Sequence, residues 1–277
     1  MRTHLTTTSG DAFLYAVLAD VAWDCTLVSY AYRSCKPLYE ITWRAVRNHV
    51  LVDSGAFTLW TRGITIDLAD LIAWNASIKR EWSDRMASLR FINLDVIPGA
   101  LRRPPTRAQI ERGMTDSLAN ADAMRAAGFD TIEVYHQNEP LDFLDTLLDR
   151  LPERGVLAIS PDNSVSLASR RAYLTRTLQH LMRDRQPSDL PRMHGLGVTS
   201  TALTLAFPFY SVDSSSWMTQ LRFGVNRRAR LPYIPRGRGV ARHSAGGVVL
   251  RQEIERARAD AARATRLWSA RGVRWSD

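Results

Sequence analysis

The chain has 277 residues and is 45% hydrophobic, which suits one large domain with a bulky core and excludes a disordered chain. Its 37 basic residues outnumber its 28 acidic ones and leave a formal charge of +9, an excess that favours a polyanionic partner through counterion release. No apolar run approaches the ~20 residues of a membrane span, no secretory leader is expected at the N-terminus, and two cysteines, Cys25 and Cys35, fit a reducing, cytoplasmic compartment without forming a four-cysteine metal site.

Strand-like runs alternate with amphipathic helical runs along the chain. Thr26–Ala31, Val50–Asp53 and Leu89–Leu94 read as strands. So do Thr131–Tyr135, Val156–Ser160, His194–Val198 and Phe209–Val212. Between them, Leu68, Leu71, Ile72, Ile78 and Trp82 mark one helix; Ile110, Met114, Leu118, Ala121 and Met124 mark another, ended by Gly128. Leu141 to Leu151 and Leu167 to Met182 supply two more, and Val249 to Gly272 reads as a long charged helix closing the chain. This alternation is the signature of a parallel sheet. A single-domain (β/α)8 TIM-like barrel spanning 1–277 is expected, with an open doubly wound sheet as the alternative. The eighth strand falls either around Leu231–Ile234 or near the N-terminus.

Three aspartates sit just beyond apolar runs: Asp53 in Val-Asp-Ser-Gly-Ala-Phe57, Asp95 in Asn93-Leu-Asp-Val-Ile-Pro98, and Asp213 in Val-Asp-Ser-Ser-Ser-Trp217. Each fits an ordinary helix N-cap. Together, at the ends of parallel strands, they suggest one polar site at the C-terminal face of a barrel. Around Asp53, Ser54 is placed to hydrogen-bond a planar ligand and Phe57 to stack on it. Tyr-His-Gln-Asn-Glu139 offers His136 and Gln137 as polar readers. Gly195 and Gly197 leave room for a flat ligand, with Leu196 as a stacking face. Arginines are densest between 222 and 242, where Gly, Pro and Tyr interleave with them. Arg222, Arg227, Arg228, Arg230, Arg236 and Arg238 are the candidates there for gripping phosphate.

Read in order, these motifs resemble the tRNA-guanine transglycosylase superfamily. Its barrel carries Asp-Ser-Gly-Gly-Phe, a strand ending in Asp-Glu-Cys, a strand ending in Gln-Gly, a Gly-Gly-Leu-Ala-Val-Gly strand, a Leu-Met-Gly-Val-Gly strand and a Val-Asp-x-Phe-Asp strand. The counterparts are Asp53 to Phe57, Leu94-Asp95, His136 or Gln137, Gly155-Val-Leu-Ala-Ile159, Gly195-Leu-Gly-Val198 and Val212-Asp213. Members acting on tRNA carry a zinc site of three cysteines and a histidine, which this sequence lacks, so neither a metal nor another cofactor is expected. The Val-Asp-Ser-Ser-Ser-Trp ending is similar to the branch that acts on DNA in phages and bacteria, the deoxypurine-in-DNA protein A family.

The resemblance implies a cytoplasmic enzyme, of a bacterium or phage-infected cell, that exchanges guanine in DNA for a 7-deazaguanine such as 7-cyano-7-deazaguanine. Asp213 would attack the sugar, although ungapped placement sets Ser216 where the family has its nucleophile. Asp53 would manage the ring-nitrogen proton. Asp95 would read the base edge, helped by His136 or Gln137 and the backbone near Leu157. Phe57 and Leu196 would sandwich the base. Transglycosylation on tRNA, a non-catalytic nucleic-acid-binding barrel and an unrelated barrel hydrolase are the alternatives.

Overall fold

A computed structural model describes residues 1–6, 10–99, 103–198, 200–219 and 240–275, with the side chains at 240–242 left aside. The arginine-rich candidates from Arg222 to Arg238, and the possible strand at Leu231–Ile234, lie outside the described residues.

Strands and helices alternate from the start. The first half runs β1 (Arg2–Thr6), α1 (Ala12–Asp20), β2 (Cys25–Ser29), a 3-10 turn (Tyr30–Cys35), α2 (Lys36–Ala45), β3 (His49–Asp53), α3 (Ala56–Trp60), α4 (Leu68–Trp82) and β4 (Ser88–Ile92). The second half runs α5 (Arg107–Ala126), β5 (Thr131–Ile132), β6 (Val134–His136), α6 (Leu141–Asp149), β7 (Val156–Ser160), α7 (Leu167–Met182), β8 (Arg192–Gly195), α8 (Thr201–Ala206), β9 (Ser211–Ser214) and α9 (Val240–Ser269). Of the two places expected for the eighth strand, the N-terminal one is occupied. The closing helix begins nine residues before Val249 and ends short of Gly272, which adopts a left-handed conformation at φ 86°.

All strand pairs are parallel, in the order β5-β4-β3-β2-β1-β9-β8-β7-β6. The two ends of that order are halves of one strand, separated only by Glu133. Ile132 accepts the Asn93 N–H at 2.8 Å on the β4 side, and Glu133 accepts the Ala158 N–H at 2.9 Å on the β7 side. The sheet thus returns on itself, as an eight-stranded barrel and not an open sheet. At the interruption, the buried Glu133 carboxylate receives Arg125 of α5 at 2.9 Å and Arg150, just past α6, at 3.0 Å. Charged hydrogen bonds from the two flanking helical layers hold the seam where the strand ladder pauses.

Side chains alternate across the wall. Leu27, Leu51, Ile92, Ile132, Val134, Val156 and Ala158 fill the barrel. Val50, Val52, Phe91, Leu157, Ile159 and Val212 face the helices in two outer clusters. Because both faces are buried, central strands such as β3 at 50–52 and β7 at 156–159 are apolar on both faces, while the first, eighth and ninth carry polar residues within them. Helix starts are set locally: Asp67 caps α4, Ser166 caps α7, and Thr106 with Gln109 forms a reciprocal capping box on α5. No helix among the described residues is long and apolar enough to cross a membrane.

Candidate active site

The C-terminal strand ends enclose a cavity of about 610 Å³, a size suited to a small planar ligand. Asp53, Asp95 and Asp213 all line it. So do Phe57, His136, Gln137 and Leu196.

Asp53 ends β3, opposite Ser29 of β2 in the parallel register. The alternation that sends Val50 and Val52 outward turns Leu51 and Asp53 inward. The Gly55 N–H donates to Asp53 Oδ2 at 3.1 Å. Gly55 sits at φ 76°, and an added Cβ would meet the Ala31 nitrogen at 2.7 Å, so the turn both bends left-handed and rests on the β2 loop. Burial raises Asp53 to a pKa of about 7, with the carboxylates of Asp95 and Asp213 adding to the rise against hydrogen bonds from Ser29 and Gly55. A carboxyl poised near neutrality can both give and take a proton.

Asp95 follows β4 in a segment strapped to α5. Asn93 Nδ2 donates to the Ser117 carbonyl at 2.8 Å, the Ser117 hydroxyl accepts the Val96 N–H at 2.8 Å, and Asn120 Nδ2 donates to the Leu94 carbonyl at 2.8 Å. Asp95 Oδ2 lies 2.8 Å from His136 Nε2. For His136, burial is the largest influence and opposes the charged ring. The hydrogen bond to Asp95 and the charges of Glu139 and Asp95 outweigh it, raising the imidazole to about 9. Glu139 accepts the His136 backbone N–H at 2.6 Å and is itself raised by burial to about 7. Gln137 is committed elsewhere: its Oε1 accepts the Asp162 N–H at 3.0 Å and its Nε2 donates to Ser169 at 3.2 Å. Of the two candidate readers, His136 is the one joined to Asp95.

Asp213 points into the barrel from β9. Its Oδ1 accepts the Gly197 backbone N–H, and His194 Nε2 approaches the same oxygen at 3.5 Å. That approach is too long for a hydrogen bond, and the fully buried Nε2 has no other partner among the described residues. The other ring nitrogen of His194 lies 2.8 Å from the Ser211 hydroxyl. Ser216 faces away from this cavity. Its hydroxyl meets that of Ser214 at 2.8 Å, and both line a small gap between β1, β9 and α9.

Two expected contacts, at Ser54 and Gly195, are corrected. The Ser54 side chain is buried outside the cavity, accepting the Ala56 N–H at 3.4 Å in a local cap. The Leu157 side chain faces the helices in an outer cluster, so the expectation at that position concerns its backbone alone, and Ser160 of the same strand lines the cavity. Gly195 gives its space to protein: an added Cβ would meet Val198 at 2.9 Å and Phe209 at 3.0 Å. Glu139 and His194 were missed as partners of the site. The clue for both was a titratable residue within three positions of a strand end.

Among the described residues, no group of three or more His, Cys, Asp or Glu gathers as a metal site. No protein-family model matches the chain, and no curated protein matches it. Solved structures similar to it include a ligand-free mutant form of tryptophan synthase from M. tuberculosis. That structure has 16% identity and a TM-score of 0.41, over 90% of this chain and 93% of that one. The open form of the same enzyme with BRD0059 bound has 14% identity and a TM-score of 0.40, over 90% and 92%. The barrel assignment rests on the strand pairing itself, and the chemistry on the side chains at its mouth.

Proposed function

We propose that the chain is a base-exchange enzyme that replaces guanine in DNA with a 7-deazaguanine through a covalent glycosyl intermediate. The observation that carries the reading is the convergence of Asp53, Asp95 and Asp213 on one cavity, with Asp53 raised to about 7. Two carboxyl groups of different character are what a retaining glycosyl transfer requires. A non-catalytic barrel has no use for a nucleophile directed into its cavity. The site has also kept Asp213 and turned Ser216 away, which favours the aspartate as the attacking group.

In the first half-reaction Asp213 attacks the anomeric carbon. Its Oδ1 is occupied by Gly197, so Oδ2 is the oxygen that forms the bond. The carbon–N9 bond breaks, its electron pair stays on guanine N9, and protonated Asp53 delivers the proton. In the second half the incoming base loses its N9 proton to the Asp53 carboxylate. N9 attacks the same carbon, and Asp213 leaves as a carboxylate. Two displacements give net retention, and no electron changes hands with a cofactor. Asp95, oriented by His136, accepts hydrogen bonds from the ring imide and exocyclic amine of the base. Phe57 and Leu196 offer apolar faces on either side.

The test is release of labelled guanine from DNA and from tRNA when 7-cyano-7-deazaguanine is supplied. Release from DNA is expected, with a DNA–protein adduct after denaturation. Release from tRNA but not from DNA would overturn the choice of nucleic acid, and release from neither would overturn base exchange.

A further inference from the structure

The mouth of the cavity is not uniform. Where β2 and β3 end side by side, the 3-10 turn of Tyr30–Cys35 and the short α3 stand together. They bring Tyr32, Phe57 and Trp60 to one wall. Phe57 is 52% exposed, and its ring lies 6.1 Å from that of Trp60 with a tilt of 33°. Trp60 is anchored by its indole N–H, which donates to the Gly99 carbonyl at 3.4 Å. Arg62, just past α3, holds its guanidinium 5.7 Å from the centre of the Tyr32 ring and 3.5 Å from its hydroxyl. Arg103 joins this wall from the connection between β4 and α5. Neither arginine forms an ion pair among the described residues. The opposite side is lined by Gln137, Asn138, Ser160, Asp162, Asn163 and Ser164, and no arginine stands among them.

An exposed ring beside a second aromatic at a cavity mouth leaves apolar surface in water. Guanidinium groups without counter-ions, set among such rings, match a phosphate backbone whose bases are free to stack. A duplex turns its base faces inward and shows phosphates and groove edges, so these rings would find nothing to stack on. We propose that this wall is a platform for unpaired nucleotides flanking the target base. Tyr32 and Trp60 stack on the neighbouring bases, and Arg62 and Arg103 take their phosphates. Phe57 stays on the base inside the cavity. The platform rests on the base-exchange reading for the identity of that base, and it adds that the strand is single, or opened, at the mouth.

Oligothymidylate of about 12 nucleotides falls within the footprint of such sites and holds no guanine to exchange. Its binding, followed by fluorescence anisotropy, separates the platform from the chemistry. The single strand is expected to bind about tenfold tighter than the same strand paired with oligodeoxyadenylate at equal salt. Trp60→Ala should weaken single-strand binding about tenfold, and Trp60→Phe should restore most of it. Replacing Arg62 and Arg103 with alanine should reduce the salt slope by about 0.7 for each phosphate that is no longer neutralised. Duplex binding as tight as single-strand binding overturns the platform, as does wild-type affinity in both Trp60→Ala and Tyr32→Ala. A guanine-containing strand that binds in this way but releases no base overturns the exchange reading and leaves the platform standing.

Discussion

The two sides of the cavity treat carboxylates in opposite ways. At the Asp213 corner the protein supplies a backbone N–H from Gly197, with His194 Nε2 standing off at 3.5 Å. At the Asp53 corner it supplies burial and two neighbouring acids, and the proton is held to about pH 7. Burial among acceptors favours an acid ready to give a proton. In the proposed exchange one residue type would fill two roles, with different groups beside each copy.

Exchanging the two characters is the most damaging test. Asp213→Asn removes the nucleophile while keeping its shape, and base exchange should fall by about 10⁴-fold. DNA affinity should stay near wild type, because charge at the reacting carbon counts mainly in the transition state. Ser216→Ala should change little, since that hydroxyl is paired with Ser214 outside the cavity. Loss of the covalent adduct in Ser216→Ala, with its retention in Asp213→Asn, would reverse the assignment.

A smaller loss is expected at the other corner. Asp53→Asn should slow exchange by about 10²- to 10³-fold. In the wild type the acid form is present below about pH 7, so the glycosylation step should decline as pH rises through that value. The variant should show a flat profile there. A wild-type pH limb that survives in Asp53→Asn would assign it to another group, such as Glu139, which is also raised to about 7.

The smallest effect concerns the reader. Asp95→Asn should raise the KM for the incoming base by about 10- to 100-fold, the worth of one charged hydrogen bond, and leave DNA affinity unchanged. It should also release His136, whose elevation to about 9 depends on the Asp95 partner. The sign follows from the raised pKa. The stability of the Asp95–His136 pair is fully present below the usual imidazole value of 6.5 and is lost as pH rises through about 9. The wild-type Tm should therefore fall across that window, and the fall should shrink in the variant. NMR titration of His136 gives a direct check: a ring that still titrates near 9 in Asp95→Asn would remove Asp95 as the cause.

Much of the barrel was legible because strand and helix periods alternate plainly from Thr26 onward. The first strand was hard to read because Arg2-Thr-His-Leu-Thr6 carries polar residues, His4 among them, that turn into the barrel beside His194. The break at Glu133 was invisible, since the arginines that pair with its carboxylate come from the layers on either side of the strand. The three aspartates were legible by position. The facing of the Leu157 side chain was not, because a strand apolar on both faces gives no sign of which face a residue occupies. Ser54 and Gly195 failed for a related reason: a small residue near a rim serves packing as readily as a ligand.

Gly55 joins events that chemistry usually treats separately. Its N–H donates to Asp53, a Cβ added to it would meet the Ala31 nitrogen, and the helix that follows carries Phe57 and Trp60. The seat of Asp53 and the aromatic wall therefore share one turn. In the proposed exchange a side chain introduced at Gly55 would disturb both together, the position of the acid and the placement of the rings.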